Sequence, residues 1–203
     1  MQLFIAYDKK ITRTKEIFMY LDDIPSSFRQ HDMLYLTAPD LGRAEEMQRK
    51  LNAFSSLHHE FLLWSPGFHS IDSVEKNMAD AADNFLNDRD EYKFLIIERK
   101  SDELLGCISL FIRNQAIPYV EIGYWLATNA LGKGIMPEAC KLATKIASDF
   151  LHAKRIEIRV AGRNVRSQSV ALKCGFKLEA RLVNERLDSM GMTDDTLIYR
   201  YGG

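Results

Sequence analysis

The stretch "EIGYWLATNALGKGIMPEACKLATKIASDFL" (Glu121–Leu151) decides the fold. Its first part continues an apolar, partly β-branched run from Tyr119 and reads as a strand. Gly132 and Gly134, one residue apart, then form a tight turn. Beyond them Ala139, Leu142, Ala143, Ile146 and Phe150 recur at helical spacing. Pro137 falls in the first helical turn, where its missing N–H is not needed. The turn carries no acidic residue, and Lys133 adds a positive charge. The amides of Gly132 to Met136 lack partners inside the helix and face outward at the positive end of its dipole. A diphosphate suits such a turn. The pattern is neither the Walker loop, which needs G-x-x-x-x-G-K-[ST], nor the dinucleotide fingerprint, which needs a third glycine and a later acid. A tight strand–helix connection that holds no ligand is the other reading of the same residues.

Outward from that stretch, the chain has 203 residues, 46% hydrophobic and 27% charged, with a net charge of -1. This is ordinary globular composition. The charge offers no basic surplus for coating nucleic acid, and no nucleic-acid partner is expected. Cys107, Cys140 and Cys174 are odd in number, far apart and without a CxxC pair, so neither a disulfide framework nor a zinc site is expected. Free thiols point to a reducing, cytoplasmic setting. "MQLFIAYDKK" is too short, and its charges are in the wrong order, for a signal peptide. No apolar run approaches a membrane span, so no membrane partner is expected.

Residues 1–32 read as an N-terminal extension. "LFIAY" is a candidate strand, "TKEIFMYL" one or two helical turns, and "DDIPSSFRQHD" a linker. The main domain is placed at residues 33–203. There "MLYLTA" predicts a strand, followed by helices over "PDLGRAEEMQRKLNAF", "SSLHHEFLLW" and "SIDSVEKNMADAADNFLNDRD". A hairpin turns at Lys100-Ser101-Asp102, and the Tyr119 strand and the glycine-led helix come next. "KRIEIRV" alternates as a strand, "NVRSQSVALKC" is a short helix stopped by Gly175, and two strands close the chain around "DSMG". The order β-α-α-α-β-β-β-α-β-α-β-β implies a mixed α/β sheet, mostly antiparallel with one parallel crossover, and helices on both faces.

Three segments carry a resemblance: "EIGYWLATNALGKGIMPEACKLA", "RIEIRVAGRNVRSQSVALKCGFKLEARLVNERL" and "DDTLIYRY". Together they resemble the GNAT superfamily of N-acetyltransferases, in particular its RimJ/RimL branch, whose namesakes acetylate ribosomal-protein N-termini. The likeness runs from about Met33 to Tyr201. It rests on the turn Asn129 to Gly134, on Asn164-x-x-Ser167 and on Gly175-Phe176. It implies the GNAT fold and acetyl-coenzyme A as the diphosphate-bearing co-substrate, with no metal. It places the pyrophosphate on Leu131, Gly132, Lys133, Gly134, Ile135 and Met136. The pantetheine arm is placed beside Trp125, Leu126 and Ala127 and on Asn164, and the sulfur near Ser167. Ala171 stands where many members carry a thiolate-protonating tyrosine; Ser167 is the named substitute.

A thioester is already activated, so acetyl transfer needs positioning, a polarised carbonyl, a proton acceptor for the amine and a proton for the thiolate. An amide near Leu126 serves the oxygen if the strand bulges there, as in the family. Glu121, on the face of Gly123 and Trp125, is the candidate base, directly or through water; it equally suits a structural anchor. Ser167 equally suits a bond to a backbone carbonyl, and Asn164 a helix N-cap. "HHEF" (His58–Phe61) lacks metal-site spacing and suits a polar rim. The acceptor is expected to meet the segment from about Ser55 to Ser70 and the last hairpin. Glu60, Glu185, Asp194 and Asp195 would suit a cationic amine. A protein N-terminus, a polyamine or amino sugar, and an amino-acid-like metabolite all fit. The alternative is a non-catalytic acetyl-coenzyme A sensor acting on a partner through residues 1–32, which could also cap a sheet edge or mediate a homodimer.

Overall fold

The computed structural model describes residues 23–86 and 90–202. The expectations for "LFIAY" and "TKEIFMYL" lie outside the described residues. The elements are α1 (Ser26–Arg29), β1 (Leu34–Thr37), α2 (Ala44–Asn52), α3 (Ser56–Phe61), α4 (Ile71–Leu86), β2 (Glu91–Glu98), β3 (Leu104–Asn114), β4 (Tyr119–Leu126), α5 (Ile135–Lys145), β5 (Arg155–Ala161), α6 (Val165–Lys173), β6 (Phe176–Leu187) and β7 (Thr193–Tyr201). The seven strands form one sheet in the order β1-β2-β3-β4-β5-β7-β6. Only β4 and β5 run parallel; every other pair is antiparallel. This is the mixed sheet that the order of elements implies. No described helix is long and apolar enough to cross a membrane.

Period-two alternation gives the sheet two apolar faces. Phe94, Ile96, Ile108, Leu110, Ile122, Ile156 and Ile158 pack with Ala139 and Ala143 of α5 and with Ile146 just beyond it on one side. Leu95, Ile97 and Cys107 pack with Met47 and Leu51 of α2 and Val74 and Met78 of α4 on the other. All three cysteines are buried and free. The long helix expected through Leu151 keeps α geometry only to Lys145; Ile146–Phe150 is a wider π turn.

The "DDIPSSFRQHD" segment is not the linker its composition suggests. Ile24 is fully buried in the core, and Phe28 packs against it. Pro25, at φ -54°, presets the first turn of α1. Lys145 of α5 lies 4.6 Å over the Phe28 ring. Two apolar residues four apart, among polar ones, are enough to dock one helical turn.

β3 approaches β4 most closely at Gly106. A Cβ there would lie 2.2 Å from the Trp125 carbonyl oxygen and 2.8 Å from the Leu126 Cα, both backbone atoms. The register slips beside it, since Ile96 faces Gly106 and Ile97 faces Leu104. Gly106→Ala is therefore expected to cost at least about 2 kcal/mol of folding free energy, from overpacking against backbone that cannot move aside. Urea denaturation measures it; an unchanged midpoint would show that β4 yields freely.

Candidate functional site

The site starts where two strands part. β4 and β5 pair only over Tyr119↔Arg155, Val120↔Ile156 and Glu121↔Glu157. Past Glu121 they diverge. On the other edge of β4 the ladder continues, and the Ala127 N–H donates to the Leu105 carbonyl at 2.7 Å. Antiparallel alternation then turns the N–H and C=O of Tyr124 and Leu126 toward the diverging edge. The Leu126 carbonyl accepts from His58 Nε2 at 2.8 Å. His58 Nδ1 takes the Ser55 N–H at 3.2 Å, which fixes Nδ1 as acceptor and Nε2 as the protonated nitrogen. Phe54 stacks on the same ring at 4.3 Å. The Leu126 N–H is left facing the cleft. β4 holds its register with β3 from Ile122 to Leu126, so the expected bulge lies not in β4 but opposite it, at Leu105–Gly106.

A cavity of about 600 Å³ fills the divergence. Trp125, Leu126, Leu131, Gly132, Gly134, Ile135, Met136, Asn164 and Ser167, all expected at the site, line it. Ala127, 1% exposed, is turned into the β3 ladder instead, and Lys133 stands exposed beside the turn. Gly132 and Gly134 adopt φ of 76° and 77°, the left-handed region that glycine allows. A Cβ at either would meet nothing within 4 Å, so the space above the turn is open. No amide from Gly132 to Met136 donates to backbone outside the helix among the described residues. No side chain caps α5 either. The turn is thus a bare, anion-receptive nest of N–H groups. Two further cations at the cavity, Arg166 and Lys173, escaped the sequence reading. Their spacing of seven on α6, two helical turns, was the available signal. Asn129 turns away from this nest and donates to Glu103 at 2.9 Å.

Asn164 is the N-cap of α6: its side-chain oxygen accepts the Ser167 N–H at 3.0 Å. Ser167 Oγ lies 2.8 Å from the Tyr124 hydroxyl. Burial pushes the Tyr124 phenol well above its ordinary pKa, so it holds its proton at neutral pH. Tyr124 was not singled out in sequence, because it sits in an apolar strand where packing explains a tyrosine.

A second cavity, of about 610 Å³, opens on the α2–α4 side. Tyr124, Trp125, Asn164 and Ser167 wall both cavities, so the hydroxyl pair marks their junction. Trp64 and His69 of the expected 55–70 segment line this second space, as do Glu91, Lys93, Ser109, Arg159 and Arg186. Glu121 lines neither cavity. Its carboxylate accepts from Arg113 Nε at 2.9 Å, and its strand partner is Glu157, bound by Arg155 and Tyr119. Of the four acids expected to face a cationic amine, three are already matched: Glu185 with Arg159 at 3.1 Å, Asp194 with Arg163 at 3.5 Å, and Asp195 with Arg181. The fourth, Glu60, is exposed on α3 and lines neither cavity. His58 is buried as a cap and strand anchor, and its side of α3 contributes to the wall of the first cavity. Among the described residues no group of three or more His, Cys, Asp or Glu is arranged to hold a metal ion.

The description "Acetyltransferase (GNAT) domain" matches residues 34–177. The "Probable N-acetyltransferase YjcK" of Bacillus subtilis is 35% identical over 113 residues, 55% of this chain and 62% of its own length. The "Ribosomal-protein-serine acetyltransferase" of Escherichia coli is 28% identical over 127 residues, 60% of this chain and 71% of its own. Among solved structures, the microcin C7 self-immunity acetyltransferase MccE, in complex with acetyl-CoA and AMP, superposes with a TM-score of 0.76 at 26% identity. That match covers 84% of this chain and 92% of that one. The chain thus spans less than two thirds of the YjcK relative.

His58→Phe keeps the stack on Phe54 but strands the Leu126 carbonyl and the Ser55 N–H. It is expected to cost about 1–3 kcal/mol in urea denaturation; a neutral result would mean that water replaces both bonds. Asp195 gives a pH signature. The Asn184 N–H, at 3.0 Å, and Arg181 hold its carboxyl below the usual range. A lowered folded pKa contributes stability above the ordinary aspartate value of about 4 and loses it as pH falls through the lowered value. The stability gap between wild type and Asp195→Asn is expected to be full at neutral pH and to close in acid. A gap independent of pH would remove Asp195 as a charged anchor.

Proposed function

The chain belongs to the acetyltransferase (GNAT) family, and on that premise we propose that it moves the acetyl group of acetyl-coenzyme A onto a primary amine by direct attack. The reading is supported above all by one observation: a bare glycine nest and a hydroxyl pair line a single cavity, and a second cavity, suited to the acceptor, shares that pair as its wall. The nest amides, Gly132 to Met136, bind the linked phosphates, with Lys133, Arg166 and Lys173 adding charge. The open edge of β4 aligns the pantetheine arm as an added strand, and Asn164 borders it. The Leu126 N–H polarises the acetyl oxygen. The amine nitrogen bonds to the acetyl carbon as the carbon–sulfur bond breaks. The thiolate takes its proton from Ser167 as Ser167 takes one from Tyr124, and water in the adjoining cavity returns a proton to the phenol, so the hydroxyl pair relays the proton and ends neutral. The amine's proton leaves through water in the acceptor cavity, with Glu121 as its final base behind the wall. The acceptor is a protein N-terminus or a small amine. The second class of reading, a sensor that binds without turnover, draws no support from the relatives.

Gly134→Asp sets a carboxylate against the diphosphate and is expected to abolish the thermal stabilisation that acetyl-coenzyme A gives the wild type. An undiminished shift would mean that the turn holds nothing. Ser167→Ala and Tyr124→Phe are expected to lower kcat by about 100–10,000-fold, the range of a single proton-transfer group, with little change in affinity for acetyl-coenzyme A. Thiol release with an amine panel reads this; losses confined to binding would take the pair out of the chemistry. Glu121→Gln is expected to lower kcat/KM with little change in affinity for acetyl-coenzyme A. A lower melting temperature with kcat/KM intact would leave Glu121 as the partner of Arg113 alone.

A further inference from the structure

The acceptor cavity has a definite charge pattern. Glu91 is matched by Lys93 at 3.9 Å and accepts from Ser109 at 2.7 Å. Arg159 is matched by Glu185, which also accepts from Thr196. Arg186 is the exception. It lines the cavity, is half-buried, and has neither ion pair nor hydrogen bond among the described residues. Its cross-strand neighbour Asp194 would be the natural partner. That carboxylate is engaged elsewhere, with one oxygen taking the Asp195 N–H at 2.8 Å and the other lying 3.5 Å from Arg163.

The strand is shaped to produce this. Between Leu182↔Thr196 and Arg186↔Asp194, β6 advances four residues while β7 advances two. The bulge turns on Asn184, at φ 53°, and is pinned by the Asn184 N–H on Asp195. Consecutive residues of a regular strand point to opposite faces. Here Glu185 reaches Arg159, itself a wall of the cavity, while its neighbour Arg186 lines the same cavity. Bulges re-aim side chains in this way. A guanidinium that has lost part of its water and gained no partner is poorly placed unless a ligand completes it.

We propose that the acceptor is a small amine that also carries an anionic group, a carboxylate or a phosphate, and that Arg186 holds that group while the amine points to the Tyr124–Ser167 junction. The assignment rests on the acetyl-transfer reading above and narrows it. With Glu91 and Arg159 each neutralised, Arg186 leaves the cavity net positive. A polyamine would bring like charge to it, whereas a carboxylate or phosphate meets a planar, multidentate donor.

Matched pairs test this. L-Phenylalanine against phenethylamine differs by a carboxylate, and O-phosphoethanolamine against ethanolamine by a phosphate; spermidine is the polycationic member. Calorimetry gives binding and thiol release gives turnover, for the wild type, Arg186→Gln and Arg186→Lys. At least one anionic member is expected to bind about tenfold or more tightly than its neutral match, the fold-change of one charge-assisted bond. Arg186→Gln is expected to bring that ratio near one, and Arg186→Lys to retain part of it. Whichever pair responds identifies carboxylate or phosphate. The proposal is overturned if neither pair discriminates, if spermidine outperforms both anionic amines, or if Arg186→Gln keeps the preference. The thermal response to acetyl-coenzyme A is followed in the same samples. Its absence, with an Arg186-dependent anionic preference intact, would overturn the acetyl-transfer reading and leave the anion site standing.

Discussion

Two parallel strands that stop pairing after three residues are the constraint on which the rest depends. β4 and β5 separate beyond Glu121↔Glu157, and an edge of backbone is thereby opened inside the protein. A buried N–H or C=O without a partner costs about 1–3 kcal/mol, so such an edge persists only if it is satisfied or held for a ligand. The structure divides the task. His58 takes the Leu126 carbonyl, while the Leu126 N–H looks into the cavity. Gly106 locks the other side of β4 against backbone. The strand can neither slide toward β3 nor fall toward β5. The glycine turn that follows is thereby held at a fixed distance from the Tyr124–Ser167 pair.

Much of this was legible in the sequence because it follows from local rules. Gly132, Gly134 and Pro137 announce a bare helix start, since only glycine accepts the left-handed turn and only a first-turn proline loses nothing. Alternation and turn residues gave every strand of the sheet. Asn164 read as a cap and is one. The departures share a different cause: each depends on a residue distant in sequence. Ile24 and Phe28 looked like linker until α5 was placed beneath them. Tyr124 gained a role only when α6 brought Ser167 to its hydroxyl. His58 could not be assigned while Leu126, 68 positions away, was unplaced. The acids of the last hairpin read as a cation site because their arginines come from β5, the β5–α6 connection and β6, and pairing between strands is invisible to a linear scan.

The electrostatics of the two cavities follow from the same division. At the nest the charge is held by main-chain amides, which are indifferent to side-chain identity as long as glycine is kept. At the acceptor end it is held by side chains on β2, β5 and β6, whose pairing is set by register. A one-residue change of register there would exchange which arginine is matched and which is free. On the anionic-amine proposal, the β6 bulge acts on specificity rather than on the reaction: it selects the cation that faces the cavity and leaves Tyr124, Ser167 and Leu126 untouched.

This separation also explains where a carboxylate is absent. Neither wall near the hydroxyl pair offers an unmatched acid; Glu121, the nearest candidate along β4, is held by Arg113 outside both cavities. An amine that must lose its charge before attack would be hindered by an adjacent unpaired carboxylate, which stabilises the ammonium form. On the proposed reaction, keeping the acids matched, and Glu121 within reach only through water, would favour the neutral amine at the junction. If the acceptor is the anionic amine proposed, Arg186 on the cavity wall gives it something to bind other than its own ammonium group, so that affinity and reactivity no longer act against each other at the same nitrogen.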